Sequence, residues 1–86
     1  MIKIKQILTE DNILIDVSEY NANLVKSKEL GQKEKLELEF NILDFCDIIK
    51  QNFLSEYFST SDIFKVITAE NQVFTRSKYD GFYLNN

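Results

Sequence analysis

The chain has 86 residues, 44% of them hydrophobic and 28% charged, with no histidine, one cysteine, no proline, two glycines and a net charge of −4. This suits one domain, 1–86, with a modest core, and is too apolar for a disordered chain. Ser-His-Asp and Cys-His units, imidazole metal sites and an intrachain disulfide are all excluded, and two isolated glycines cannot form a phosphate-cradling loop.

The N-terminus, MIKIKQILTEDN, alternates apolar and polar residues and does not read as a signal peptide. Ile2 and Ile4 against Lys3 and Lys5 predict a half-exposed strand over 2–8, residues 9–12 (TEDN) a turn, and residues 13–17 (ILIDV) the returning strand. Leu24 and Val25 allow a short third strand near 22–28, and 29–34 with Gly31 reads as a loop. Over 35–42, Leu36, Leu38, Phe40 and Ile42 alternate with Lys35, Glu37, Glu39 and Asn41, which predicts a strand with one face in water.

The period then changes. Phe45, Ile48, Ile49, Phe53 and Tyr57 predict an amphipathic helix from 45 to about 58, capped by Asp44 and ended by 59–62 (STSD), with Phe53 at the centre of its core face. Two readings fit the next segment: a second helix capped by Ser61, or a hairpin of 63–68 with 73–77. The β-branched Ile63, Val66, Ile67 and Thr68 favour the hairpin. Asp80 and Gly81 then turn the chain into a last strand, Phe82 to Leu84. The expected fold is α+β: a single antiparallel sheet of about five or six short strands with one helix packed across one face.

Charge is unevenly placed. Residues 1–35 are neutral, 36–70 carry −5 and 71–86 carry +1. An acidic middle disfavours direct nucleic-acid binding and suits docking on a basic protein surface, although a solvated acidic face kept for solubility would look the same. Cys46 is expected to be a buried structural residue, since no histidine can activate it. The carboxylate pairs Glu10/Asp11, Glu37/Glu39 and Asp44/Asp47 match no calcium-loop spacing, and neither a metal, a cofactor nor an enzymatic activity is expected.

What remains is work by surface contact. The first expectation is a small acidic binding protein that docks on, and inhibits or neutralises, another macromolecule, as phage inhibitors of host enzymes and toxin-neutralising immunity proteins do. Its contact residues would be Glu37, Glu39, Asp44 and Asp47, with Glu56 and Asp62 on the rim. The alternative is a structural subunit of a homo-oligomer or larger assembly, joined through an aromatic C-terminal strand. Arg76, Lys78, Tyr79, Phe82 and Tyr83 form a second candidate interface, for protein or, less favoured, for single-stranded nucleic acid. No apolar run reaches the roughly 18–20 residues of a membrane-spanning helix, and a cytoplasmic location with no membrane partner is expected.

Overall fold

The computed structural model describes residues 1–27, 34–78 and 81–85. Seven strands lie in chain order among them: β1 (Ile2–Thr9), β2 (Leu14–Asp16), β3 (Ala22–Ser27), β4 (Lys35–Phe40), β5 (Ile63–Thr68), β6 (Val73–Arg76) and β7 (Phe82–Leu84). One helix, α1 (Ile42–Gln51), and a 3-10 turn (Thr60–Asp62) separate β4 from β5.

The strands pair antiparallel in the order β2-β1-β3-β4-β7-β6-β5, and β5 returns to pair with β1. The expected open sheet is therefore a closed six-strand barrel, with β2 as an extra strand on β1 and one short helix. Closure depends on β1. Between Ile4↔Thr68 and Gln6↔Ile67 the register shifts, so Lys5 is an inserted residue; between Leu8↔Lys65 and Thr9↔Ile63 the extra residue is Phe64 of β5. A bulge bends a strand and raises its twist, as barrel closure requires. It also resets the pleat, which is why Ile4 and Ile7, three apart, are both fully buried.

Two hairpin turns share one device. At the end of β1 the Thr9 hydroxyl accepts from the Ile13 N–H (3.1 Å), and Asn12 holds φ +63°. At the end of β5 the Thr68 hydroxyl accepts from the Gln72 N–H (3.0 Å), and Asn71 holds φ +67°. Asparagine tolerates this left-handed conformation, and both threonines are buried. The hairpin reading of 63–76 thus holds and the second-helix reading is overturned. Near the C-terminus Gly81 (φ +81°) lies where an added Cβ would meet the Leu36 carbonyl at 3.2 Å, at the junction where Leu36 pairs with Phe82.

The core unites Ile4, Ile7, Ile15, Val17, Ala22, Leu24, Ile63, Val66, Phe74 and Phe82 from the strands with Ile48 from α1. On β4 the expected two-faced pattern is softened: Leu36, Leu38 and Phe40 are only partly buried, as are Lys35 and Glu37.

The helix differs most from expectation. It begins at Ile42 because Asn41, not Asp44, is the cap: the Asn41 Oδ1 accepts from the N–H groups of Leu43 (2.9 Å) and Asp44 (3.3 Å). It ends at Gln51, seven residues short of the expected 58. The Leu54 N–H reaches back to the Ile49 carbonyl (2.9 Å) and the Phe53 N–H to that of Lys50 (3.4 Å), which is a Schellman motif with Phe53 in the left-handed position. This reversal turns Leu54 and Phe58 onto the core and leaves Phe53, the expected core centre, 95% exposed. Instead of lying across a sheet face, α1 and the following loop bridge the end of β4 and the start of β5. Ile48 is the one fully enclosed helix residue, and Phe45 bridges Phe40 and Phe58 at ring separations of 5.1 and 5.7 Å.

Candidate functional site

The largest depression described, about 400 Å³, lies between the β1–β2 turn and the loop that follows α1. Thr9, Glu10, Asp11 and Ile13 line it from the turn; Phe53, Leu54, Ser55, Tyr57, Phe58 and Asp62 line it from the loop. A backbone bond from the Glu10 N–H to the Asp62 carbonyl (3.0 Å) ties the two walls together. The loop wall is braced internally: the Asp62 carboxylate accepts from the Ser59 N–H (2.9 Å), and the Tyr57 N–H donates to the Ser55 hydroxyl (3.1 Å).

The lining is chemically one-sided. Phe53 and Tyr57, 95% and 84% exposed, stand at the surface, while Leu54 and Phe58 form a partly buried floor. Glu10, Asp11 and Asp62 bring carboxylates, and among the described residues no lysine or arginine lines the groove with them. Chemically, such a groove offers apolar ring area beside negative charge, which is the arrangement of an interaction surface.

The six acidic residues read from the sequence as one patch are dispersed. Glu37 pairs with Lys35 (3.3 Å) on β4, Glu39 is exposed farther along the same strand, and Glu56 is exposed in the loop. Asp44 accepts from the Asn21 backbone N–H (2.8 Å), and Asp47 accepts from the Tyr20 hydroxyl. Asp62 closes the 3-10 turn. Glu37, Glu39, Asp47 and Asp62 line four different depressions. Asp44, Asp47 and Asp62 thus hold the fold together, and Asp62 alone of the six reaches the main groove.

A second acidic set surrounds Tyr20, where Asp16 and Glu19 from the first third of the chain join Asp47. The hydrogen bond to Asp47, loss of solvent and the charges of Asp47, Glu19 and Asp44 push the Tyr20 phenol above its ordinary value. The Asp16 carboxyl is held below its ordinary value, first by the Ser18 hydroxyl, then by the Ser18 N–H. These bonds pin the β2–β3 connection.

The second candidate interface divides between two faces. The Arg76 guanidinium stacks over the Phe82 ring (4.6 Å) and donates to the carbonyls of Thr60 (2.6 Å) and Ile63 (2.9 Å). Phe82 is buried in the core, whereas its neighbour Tyr83 is 52% exposed on the opposite face and Lys78 is exposed. Tyr79, like Asp80 and Gly31, lies outside the described residues. β7 sits between β4 and β6 inside the ring and so offers no open edge; the outermost strand is β2.

Cys46 is exposed, contrary to expectation: it lies beside Ile42 on the side of α1 turned away from the buried Ile48. Among the described residues no group of three or more cysteine, aspartate or glutamate side chains could hold a metal ion, and no helix is long and apolar enough to cross a membrane.

Sequence reasoning missed Phe53, Tyr57, Glu10, Asp11 and Ile13 as surface partners. One signal was available. Phe53 itself keeps helical spacing from Phe45 and Ile49, but the other positions that would carry the stripe onward, Asn52, Ser55 and Glu56, are all polar, which argues that the helix stops before them. No protein-family model, curated protein or solved structure matches the chain.

Proposed function

We propose that this protein is a small non-enzymatic binding module that docks on a basic surface of another protein through the acid-rimmed aromatic groove, and that docking inhibits or neutralises that partner. One observation carries the reading: Phe53 is an almost fully exposed phenylalanine in the left-handed position that ends α1. A non-glycine residue there costs about 1–2 kcal/mol, and the exposed ring returns no burial energy to the fold. Backbone strain of this kind persists at sites that make contacts outside the fold. Aromatic anchors ringed by charge supply affinity at the centre and partner selection at the rim.

Affinity capture from lysate of the cell that makes the protein tests this, with the wild type set beside Phe53→Gly and a Glu10→Lys/Asp11→Lys double variant. Both variants are expected to fold and to lose the partner, and wild-type capture is expected to weaken with salt as screening removes the charge attraction. Unchanged capture by Phe53→Gly would sink the reading. Glu37→Lys/Glu39→Lys separates the two acidic surfaces, since it is expected to leave capture intact if the groove is the contact.

Self-association is the second reading, favoured by a separate apolar surface. Ile42 and Leu43 are each 78% exposed in the first turn of α1, and Ile42 lines a depression of about 330 Å³ with Leu38, Phe40, Phe45 and Cys46. Light scattering at rising concentration distinguishes it: a dimer that Ile42→Glu dissociates supports assembly, and a monomer throughout rejects it.

A further inference from the structure

Resting on that docking reading, we propose that the groove receives an arginine side chain from an extended segment of the partner protein. The argument is one of chemical complementarity. Three carboxylate residues enter from two chain segments, Glu10 and Asp11 from the β1–β2 turn and Asp62 from the 3-10 turn, and among the described residues no basic side chain lines the groove to neutralise them. A cation is the complement of that rim. Two exposed rings, Phe53 and Tyr57, stand within the same groove. Aromatic faces beside carboxylates distinguish between cations: a guanidinium is planar, weakly hydrated, stacks on rings and presents several donors at once, whereas an ammonium is a compact and strongly hydrated point charge. The walls are preset, because the Glu10–Asp62 backbone bond and the Schellman turn at Phe53 fix both sides without a ligand. The groove's volume of about 400 Å³ sits near the lower end of the range for small-ligand pockets, about 300–1,000 Å³, which suits one long side chain with adjoining backbone better than a folded domain. Single-stranded nucleic acid would stack on the same rings but would bring its phosphates against these carboxylates.

The test titrates the 15N-labelled full chain at low salt with three blocked hexapeptides of alternating glycine and arginine, lysine or citrulline. The arginine peptide is expected to bind about threefold more tightly than the lysine peptide, with amide shifts centred on 9–13 and 53–62, and the neutral citrulline peptide is expected not to bind. Phe53→Ala with Tyr57→Ala is expected to fold, since both rings are exposed, and to reduce arginine binding to the lysine level. Equal binding of the arginine and lysine peptides, no binding of either, or shifts centred instead on Asp16, Glu19, Asp44 and Asp47 around Tyr20 would overturn the proposal. If the arginine preference is absent while Phe53→Gly still loses the captured partner, this inference fails and the docking reading stands; if capture is also unchanged, both fail.

Discussion

Phe53 holds a backbone conformation that glycine usually supplies, with its ring in water. Phe53→Gly relieves about 1–2 kcal/mol of left-handed strain, while the freer unfolded glycine chain takes back about 0.4–1 kcal/mol. The expected net effect is a gain of about 0.5–1 kcal/mol, read as a raised denaturation midpoint. A loss of several kcal/mol would mean the ring is packed after all. Tyr20 is tested by pH. Its raised phenol value means the fold favours the neutral form, so this contribution is fully present below the ordinary tyrosine value of about 10 and is lost as pH rises through the folded value. Phenolate absorbance should therefore contain a component titrating above about 10 that is missing in Tyr20→Phe. Asp16 has the opposite sign: its contribution is present above the ordinary aspartate value and is lost as pH falls through the lower folded one.

The elements are held by polar end devices as much as by apolar patterning. The turns after β1 and β5 repeat one solution, a buried threonine hydroxyl accepting the backbone N–H of the residue immediately before the next strand, with asparagine in the left-handed position. Thr9→Val or Thr68→Val keeps the shape but leaves the Ile13 or Gln72 N–H unmatched, at an expected cost of about 1–2 kcal/mol each in chemical denaturation. Neutral effects would show that water replaces the hydroxyl. These turns were half legible in the sequence. The polar residues of 9–12 and 69–72 announce them, but the shared threonine role emerges only once both threonines face the core. The ends of α1 were misread for a related reason: Asn41 and Asp44 are both good caps by residue type, and Asn41 prevails because the Asp44 carboxylate is drawn to the Asn21 N–H across the chain.

At the scale of the molecule the barrel needs its mouth covered, and α1 does this largely with one side chain. Ile48 is fully buried, while Phe45, Leu54 and Phe58 are partly buried around it. Ile48→Ala is expected to cost about 2–5 kcal/mol, a large share of a small domain's stability, and to loosen 41–62 together. Hydrogen exchange would read this as selective deprotection of α1 with β1 and β5 amides retained. Uniform loss would mean that helix and barrel unfold as one unit. Because both groove walls meet at this mouth, the same variant is expected to impair partner capture.

Strand positions followed from local pattern: within the described residues 2–8, 22–28, 63–68, 73–77 and 82–84 match paired strands, because alternation and β-branching report a pleated half-buried surface wherever the strands later pair. The expected strand 35–42 holds only to Phe40, since Asn41 caps α1 and Ile42, expected on the strand's core face, opens the helix 78% exposed. Composition likewise determined that no histidine chemistry, disulfide bond within the chain or phosphate-cradling loop can exist here. Tertiary structure decided the rest. The pairing of β1 with β5 closes the sheet, and it joins residues some 60 positions apart whose complementarity no window of sequence displays. Closure leaves a mouth in place of an open face, so the helix shortens to 10 residues, Ile48 takes the core position expected of Phe53, and Phe53 and Tyr57 turn outward. The acidic middle read as one patch was dispersed by the same step: three of its carboxylates bond to backbone or tyrosine partners, and Glu10 and Asp11, from the neutral first third, supply most of the groove's charge. Charge along a chain is a one-dimensional count, and a binding surface depends on which charges the fold leaves facing the same solvent.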